Sequence, residues 1–306
     1  MTSDVFAMVR RDELWVRGAL DESRFTQGQA VTRGREIFAR DSIDDPTLRE
    51  KLRAACDAEM DRFRHSIESL KNARVRGIVT AAIGGLESTI TITVDGISVV
   101  TTPDGATSDY NALERLLRPP TAQPPARPMP ILWRNGSAAV LLHEAIGHAA
   151  EHAHTPLTWP RWLQARDITP DGRSADLIAG EPPIATRRES FRDVPLRRMT
   201  NLVFQQLRAP FATPARRVEV FLVSGGTYEP LTETISIDIA IADIVSGKKR
   251  VRAAPFTIRA SRAAIARALI GAKGKPVRYP GVICSREGQE LFVGSHAPVM
   301  LTTELA

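Results

Sequence analysis

The chain has 306 residues, enough for two modest domains with a core each. Hydrophobic residues make up 43% and charged residues 25%, which excludes disorder as the dominant state. The formal net charge of +6 comes from arginines scattered along the chain, without a basic block or a nucleic-acid-reading motif, so it reads as a solvated basic surface and no nucleic-acid partner is expected.

Only two cysteines occur, Cys56 and Cys284, outside any CxxC pair, which excludes a disulfide framework and points to a reducing compartment. No basic segment followed by an apolar one opens the chain, and no apolar run reaches the roughly 20 residues that span a bilayer. A cytoplasmic protein without a membrane partner is the expectation.

Residues 5 to 40 alternate short apolar runs with charges and read as short strands. A helix follows: Asp45 is an N-cap, Pro46 fits the first turn, and Leu48, Leu52, Cys56, Met60, Phe63, Ile67 and Leu70 form a stripe with steps of three or four. Cys56 on that stripe is a core residue, and His65 off it faces solvent. Within Gly77 to Thr101, Thr89, Thr91 and Thr93 alternate with Ile90, Ile92 and Val94, and Asp95-Gly96 separates this run from Ile97 to Thr101, a hairpin signal. Residues 119 to 130, PPTAQPPARPMP, must be extended or irregular and serve as a spacer. Residues 1 to 118 thus read as a mixed α and β domain, and residues 131 to 306 as a second domain.

In the second domain Ser137 is a plausible N-cap for a helix carrying the histidines. Residues 155 to 195 read as a covering segment with a short helical piece. Strand-like runs at 218–223, 235–244, 251–258, 281–284 and 291–302, and a helix over 261–270, complete an α+β fold whose C-terminal part is strand-rich, barrel-like or a sandwich.

Four of the six histidines fall between positions 143 and 154, beside Glu144 and Glu151. Imidazoles ligate metals, and an adjacent carboxylate is a base for an activated water. His143 and His148 are five apart, which a regular α-helix places ~140° apart, against ~40° for a spacing of four. One metal can take both only if the helix widens, so a π turn is expected across 143–148, with Gly147 supplying backbone freedom. His148 and His152, four apart with Glu144 on the same face, are the rival pair on spacing alone, and His154 stands nearby.

The run AVLLHEAIGHAAE resembles the signature helix of the TldD/PmbA metallopeptidases. In the same order, RRESFRDVPLRRMTN at 187–201, GGTYEP at 225–230 and GVICSREGQ at 281–289 resemble that family's RES and Arg-Met-Thr-Asn segments, its GG-x-x-x-P turn and its C-terminal cysteine segment. Ala153 stands where the family often has an acid, Arg197 stands where it has a proline, and the region before the motif is shorter than the family norm. The resemblance implies Zn2+ held by His143, His148 and Cys284, Glu144 as catalytic base, and an extended or unfolded peptide as substrate. Glu151 could orient an imidazole. A homodimer, or a heterodimer with a homologous chain, is implied in the same way. Two other readings accompany the peptidase: a non-catalytic peptide-binding partner subunit, and a metal-dependent hydrolase of something other than peptides.

Overall fold

A computed structural model gives the fold and describes all residues except 1–3, 34–35, 69, 71–72, 83–84, 95–96, 102–117, 153–156, 170–171, 189–192, 208–209 and 306. The fold is α+β and mostly sheet. The chain divides into two compact units, one of residues Met1–Leu117, Arg187–Leu196 and Ile283–Phe292, the other of Arg118–Thr186, Arg197–Val282 and Val293–Ala306.

The first unit is an antiparallel sheet with one long helix against it. Its strands are β1 (Asp4–Val16), β2 (Ala19–Arg33), β3 (Glu36–Arg40), β4 (Arg74–Ala82), β5 (Gly85–Val94) and β6 (Ile97–Thr101), in the order β3-β2-β1-β4-β5-β6. β1 and β2 are long where short strands are expected. Ala7 and Val9 are buried on one face, and the buried Glu13 is paired with Arg64, so the charges do not interrupt the ladder. Arg17 and Gly18, at φ 51° and 79°, turn the chain between them as a type I′ hairpin requires. Asp95 and Gly96 lie outside the described residues, but Val94 pairs with Ile97 across the position of that turn.

Helix α1 (Pro46–Ile67) starts where the sequence says it starts: the Asp45 carboxylate accepts the N–H groups of Thr47 and Leu48 at 2.9 and 3.1 Å. Leu52, Cys56, Met60, Phe63, Ile67 and Leu70 are buried, facing a core that includes Val9, Val75, Val79, Ile90 and Ile92. Each such side chain contributes about 1.5–3 kcal/mol when fully buried. Gly77 on β4 leaves room for the Phe63 ring, which lies 2.7 Å from where a β-carbon would stand. His65 is exposed.

The second unit centres on one mixed sheet. Its strands are β7 (Pro130–Trp133), β8 (Leu163–Ile168), β9 (Ser174–Asp176), β12 (Asn201–Gln206), β13 (Arg216–Glu229), β14 (Thr234–Ser246), β15 (Lys249–Arg252), β16 (Phe256–Ser261), β17 (Leu269–Arg286) and β18 (Gln289–Glu304). The order is β15-β14-β13-β7-β18-β12-β8-β9, with β16 on β14 and β17 on β18. A two-stranded ribbon, β10 (Thr186–Arg187) with β11 (Leu196–Arg197), stands apart from both sheets. Pairing is parallel between β7 and β13 and between β12 and β18, and antiparallel elsewhere in the registers described.

Three expectations are corrected here. Among the described residues the sheet is open and forms no closed barrel; its main path runs from the short strand β15 to the short strand β9, with β16 and β17 branching from β14 and β18. Between 155 and 195 the described residues hold strands and turns and no helix, because no apolar period of 3.6 runs through that stretch. The run at 251–258 is also two strands, β15 and β16, split around Ala253-Ala254-Pro255, where proline lacks the N–H a ladder needs. Helix α3 (Arg262–Ala268) is capped by the Ser261 hydroxyl, which accepts the N–H of Ala264 at 3.2 Å.

Candidate metal centre

β7 leads through Asn135 and Gly136, at φ 53° and 73°, into helix α2, composed of Ala138–Leu142, a π turn His143–His148 and Ala149–Glu151. Ser137 does not cap it. Its hydroxyl donates instead to the Val220 carbonyl on β13 at 3.2 Å, tying the helix start to the sheet. Ala138 through Leu142 are all buried, as befits a helix with sheet and loop on every side.

The π turn spans the residues that the histidine spacing requires. It brings the His143 and His148 rings edge to face, with centroids 4.9 Å apart. The ligand atoms of His143, His148 and Cys284, the last on β17, all lie within 4.8 Å of one another, so this group could hold a metal ion. His143 is 0% exposed, and neither of its ring nitrogens has a hydrogen-bond partner. Burial drives its pKa well below the ordinary value, helped by the charges of His148 and Arg198, which keeps the ring neutral and its lone pair free. A buried imidazole with nothing to bond to is what a ligand looks like without its ion. His152, the exposed C-cap of α2, is not in the group, and His154 lies outside the described residues.

Glu144 is buried beside the histidines, its Oε2 3.6 Å from Nε2 of His148. Burial pushes its carboxyl up to about 7, against the pull of His148 and with a further push from Glu151. The group therefore holds or releases a proton near neutrality, which suits acid–base work. Its place is made by Gly226 on β13, where a β-carbon would stand 2.7 Å from Glu144 Oε1. The GG pair thus lies inside a strand rather than in a turn; the turn comes at 230–233, after Pro230.

Gly147 serves a close approach too. Its φ is not in the left-handed region, but a β-carbon there would meet Met199 Sδ at 2.2 Å. Backbone freedom is therefore not its role; a small side chain is.

Glu151 is buried, with Oε2 3.5 Å from Nδ1 of His148 and Oε1 3.3 Å from Nε of buried Arg198, and it accepts the Met199 N–H at 2.9 Å. Burial pushes its carboxyl up, but His148, the Met199 amide and Arg198 outweigh that and hold it lowered. Asp167 on β8 accepts the next two amides, of Thr200 and Asn201, at 2.8 and 3.0 Å. Residues 198–201 are thereby fixed by two carboxylates. Tyr228 stacks on His148, with centroids 6.4 Å apart and planes 16° from parallel.

Sequence reasoning missed Asp167, Arg198, Tyr228 and Arg262 as parts of this neighbourhood. Arg198 and Tyr228 sat within recognised segments without a spacing that assigned them a task. Asp167 and Arg262 carried no local signal, because only the strand pairing brings them to the helix and its loop. Glu189 and Ser190 of the RES segment lie outside the described residues.

No protein family and no curated protein matches the chain by sequence. Solved structures do. TldE from Thermococcus kodakarensis has a TM-score of 0.56 at 9% identity, over 98% of this chain and 96% of that one. A proposed modulator of a DNA gyrase from Thermotoga maritima has 0.55 at 12% identity, over 99% and 95%. A proposed modulator of DNA gyrase from Bacteroides thetaiotaomicron has 0.55 at 11% identity, over 98% and 92%. The resemblance to TldD/PmbA proteins read from the motifs is thus met by a shared fold: along nearly its whole length the chain folds as TldE and these two proteins do.

Proposed function

We propose that the protein is a zinc-dependent peptidase acting on extended or unfolded peptides. The observation that carries this reading is the buried pair of partnerless nitrogens on His143, set on a π turn with His148 and within reach of the Cys284 sulfur. Two imidazoles and a thiol are a zinc donor set, and three protein ligands leave a position open, as in catalytic sites.

A zinc ion held by His143, His148 and Cys284 would supply Lewis acidity and would lower the pKa of a water beside Glu144 toward neutrality. Glu144 takes the water proton on its carboxylate and delivers it to the leaving amine; its elevated pKa makes both transfers accessible. Glu151 holds His148 by Nδ1 and so aims Nε2. Tyr228 fixes the plane of that ring from one side. The resemblance adds an extended peptide as substrate and a second copy, or a homologous chain, as partner.

Metal analysis of the purified protein is the test. About one zinc per chain is expected, lost on His143→Ala or Cys284→Ala. Glu144→Gln keeps the zinc and loses hydrolysis of unstructured peptides. Absence of zinc uptake sinks the peptidase and leaves the partner subunit. Zinc binding with hydrolysis of non-peptide substrates only leaves the other hydrolase.

A further inference from the structure

The π turn of α2 is gripped from outside the helix. Widening a turn moves its hydrogen-bond ladder from i→i+4 to i→i+5, a geometry that needs support from its surroundings. In the middle of the turn the Ala145 carbonyl accepts a hydrogen bond from Nε of Arg262 at 2.9 Å. Arg262 is the first residue of α3 and is buried. Its Nη1 lies 3.3 Å from Oε1 of Glu233, and its own amide donates to the Glu233 carbonyl at 2.9 Å. Glu233, at φ 51°, closes the connection between β13 and β14. One guanidinium therefore joins the π turn to the end of the hairpin that carries Gly226 and Tyr228.

We propose that Arg262 is a positioning residue for the metal centre: by holding the Ala145 carbonyl it keeps the turn wide, and so keeps His143 and His148 aimed at one point. The proposal rests on the zinc reading above. A turn relaxed to α geometry would swing the two imidazoles to ~140° apart. Arginine suits the task because its rigid fork offers Nε and Nη1 along different edges, one for the carbonyl and one for Glu233. Lysine keeps the charge but is a compact point donor without the planar fork, so it cannot reproduce the separate Nε and Nη1 bonds in their present geometry.

Zinc affinity of Arg262→Lys and Arg262→Ala, measured by chelator competition, tests this. The expected result is weakening by about 10–100-fold, the range typical of outer partners of metal ligands. The Co2+-substituted Arg262→Lys protein also shows shifted visible absorption. Affinity within about threefold of the wild type in both variants, with only thermal stability lowered, overturns the proposal and leaves Arg262 a structural residue. Amide hydrogen exchange across 143–148 in the metal-free protein decides the matter without zinc. Faster exchange in Arg262→Lys supports the grip, and unchanged exchange overturns it. Failure of the wild type to bind zinc would strike the peptidase reading, while the exchange result would still judge Arg262.

Discussion

A β-carbon on Gly226 would stand 2.7 Å from both Cγ and Oε1 of Glu144, so the strand and the carboxylate share one space. Gly226→Ala must push Glu144 aside. The side chain can move, so the stability cost stays within about 1–3 kcal/mol. On the proposed mechanism, peptide hydrolysis is expected to fall by about 10²-fold or more, because a general base misplaced by an ångström loses its proton-transfer geometry. Zinc content, measured beside activity, is expected to hold, since neither histidine nor Cys284 is touched.

Glu151 faces His148, Arg198 and the Met199 amide with a single carboxylate. Glu151→Gln keeps an acceptor for the amide and removes the charge. Zinc affinity by chelator competition is expected to drop by about 10–100-fold, because His148 loses the group that orients it. Unfolding by urea is expected to show a loss of about 3 kcal/mol, since the buried Glu151–Arg198 contact loses its negative partner.

The two cysteines separate cleanly. Cys56 is fully buried among the stripe residues of α1, donates to the Val79 carbonyl at 3.6 Å, and burial pushes its thiol up to about 11. Iodoacetamide therefore does not modify it in the folded protein at neutral pH. Cys56→Ala costs about 1–2 kcal/mol and leaves zinc content unchanged. On the proposed zinc reading, Cys284→Ala is expected to abolish zinc uptake.

Acid sensitivity has a named contributor far along the sheet. Glu219 on β13 is buried and accepts from Arg134 at 3.2 Å, from Arg250 at 3.0 Å and from Arg217. Burial pushes its carboxyl up, and the three guanidinium groups more than reverse this, so its pKa is lowered. A depressed folded-state pKa gives stability that is present above the unfolded value of about 4.3 and lost as pH falls through the folded one. Glu219→Gln is thus less stable by about 2 kcal/mol at neutral pH. Its denaturation midpoint also changes less than the wild type's between about pH 5 and pH 3.

Helix α1 was legible because three independent signals agree on it: an Asp cap, a first-turn proline and an unbroken apolar stripe. The π turn was legible for a different reason. Histidines five apart, beside a carboxylate, fit no regular helix if they share a task, so the chemistry demanded the distortion. The spacing of His148 and His152 was equally good on paper, and only the fold separates them, leaving His152 exposed at the helix end. Asp167 and Arg262 were invisible, because the fold alone brings them to their partners: Asn201 lies 34 positions from Asp167, and Ala145 lies 117 from Arg262. A barrel-like or sandwich arrangement was expected because strand composition alone does not say whether edges meet. Closure is a property of tilt and register, which local sequence does not encode.

The fully enclosed imidazole of His143 has a consequence for evolution and engineering alike. Polar nitrogens shut away from water without a bond destabilise a fold by about 1–3 kcal/mol. An aliphatic residue of similar volume would pack there at no such penalty. His143→Leu is accordingly expected to melt at a higher temperature than the metal-free wild type. The fold tolerates an uncomfortable residue at this position, and a more robust chain lies one substitution away at the expense of what that residue is for.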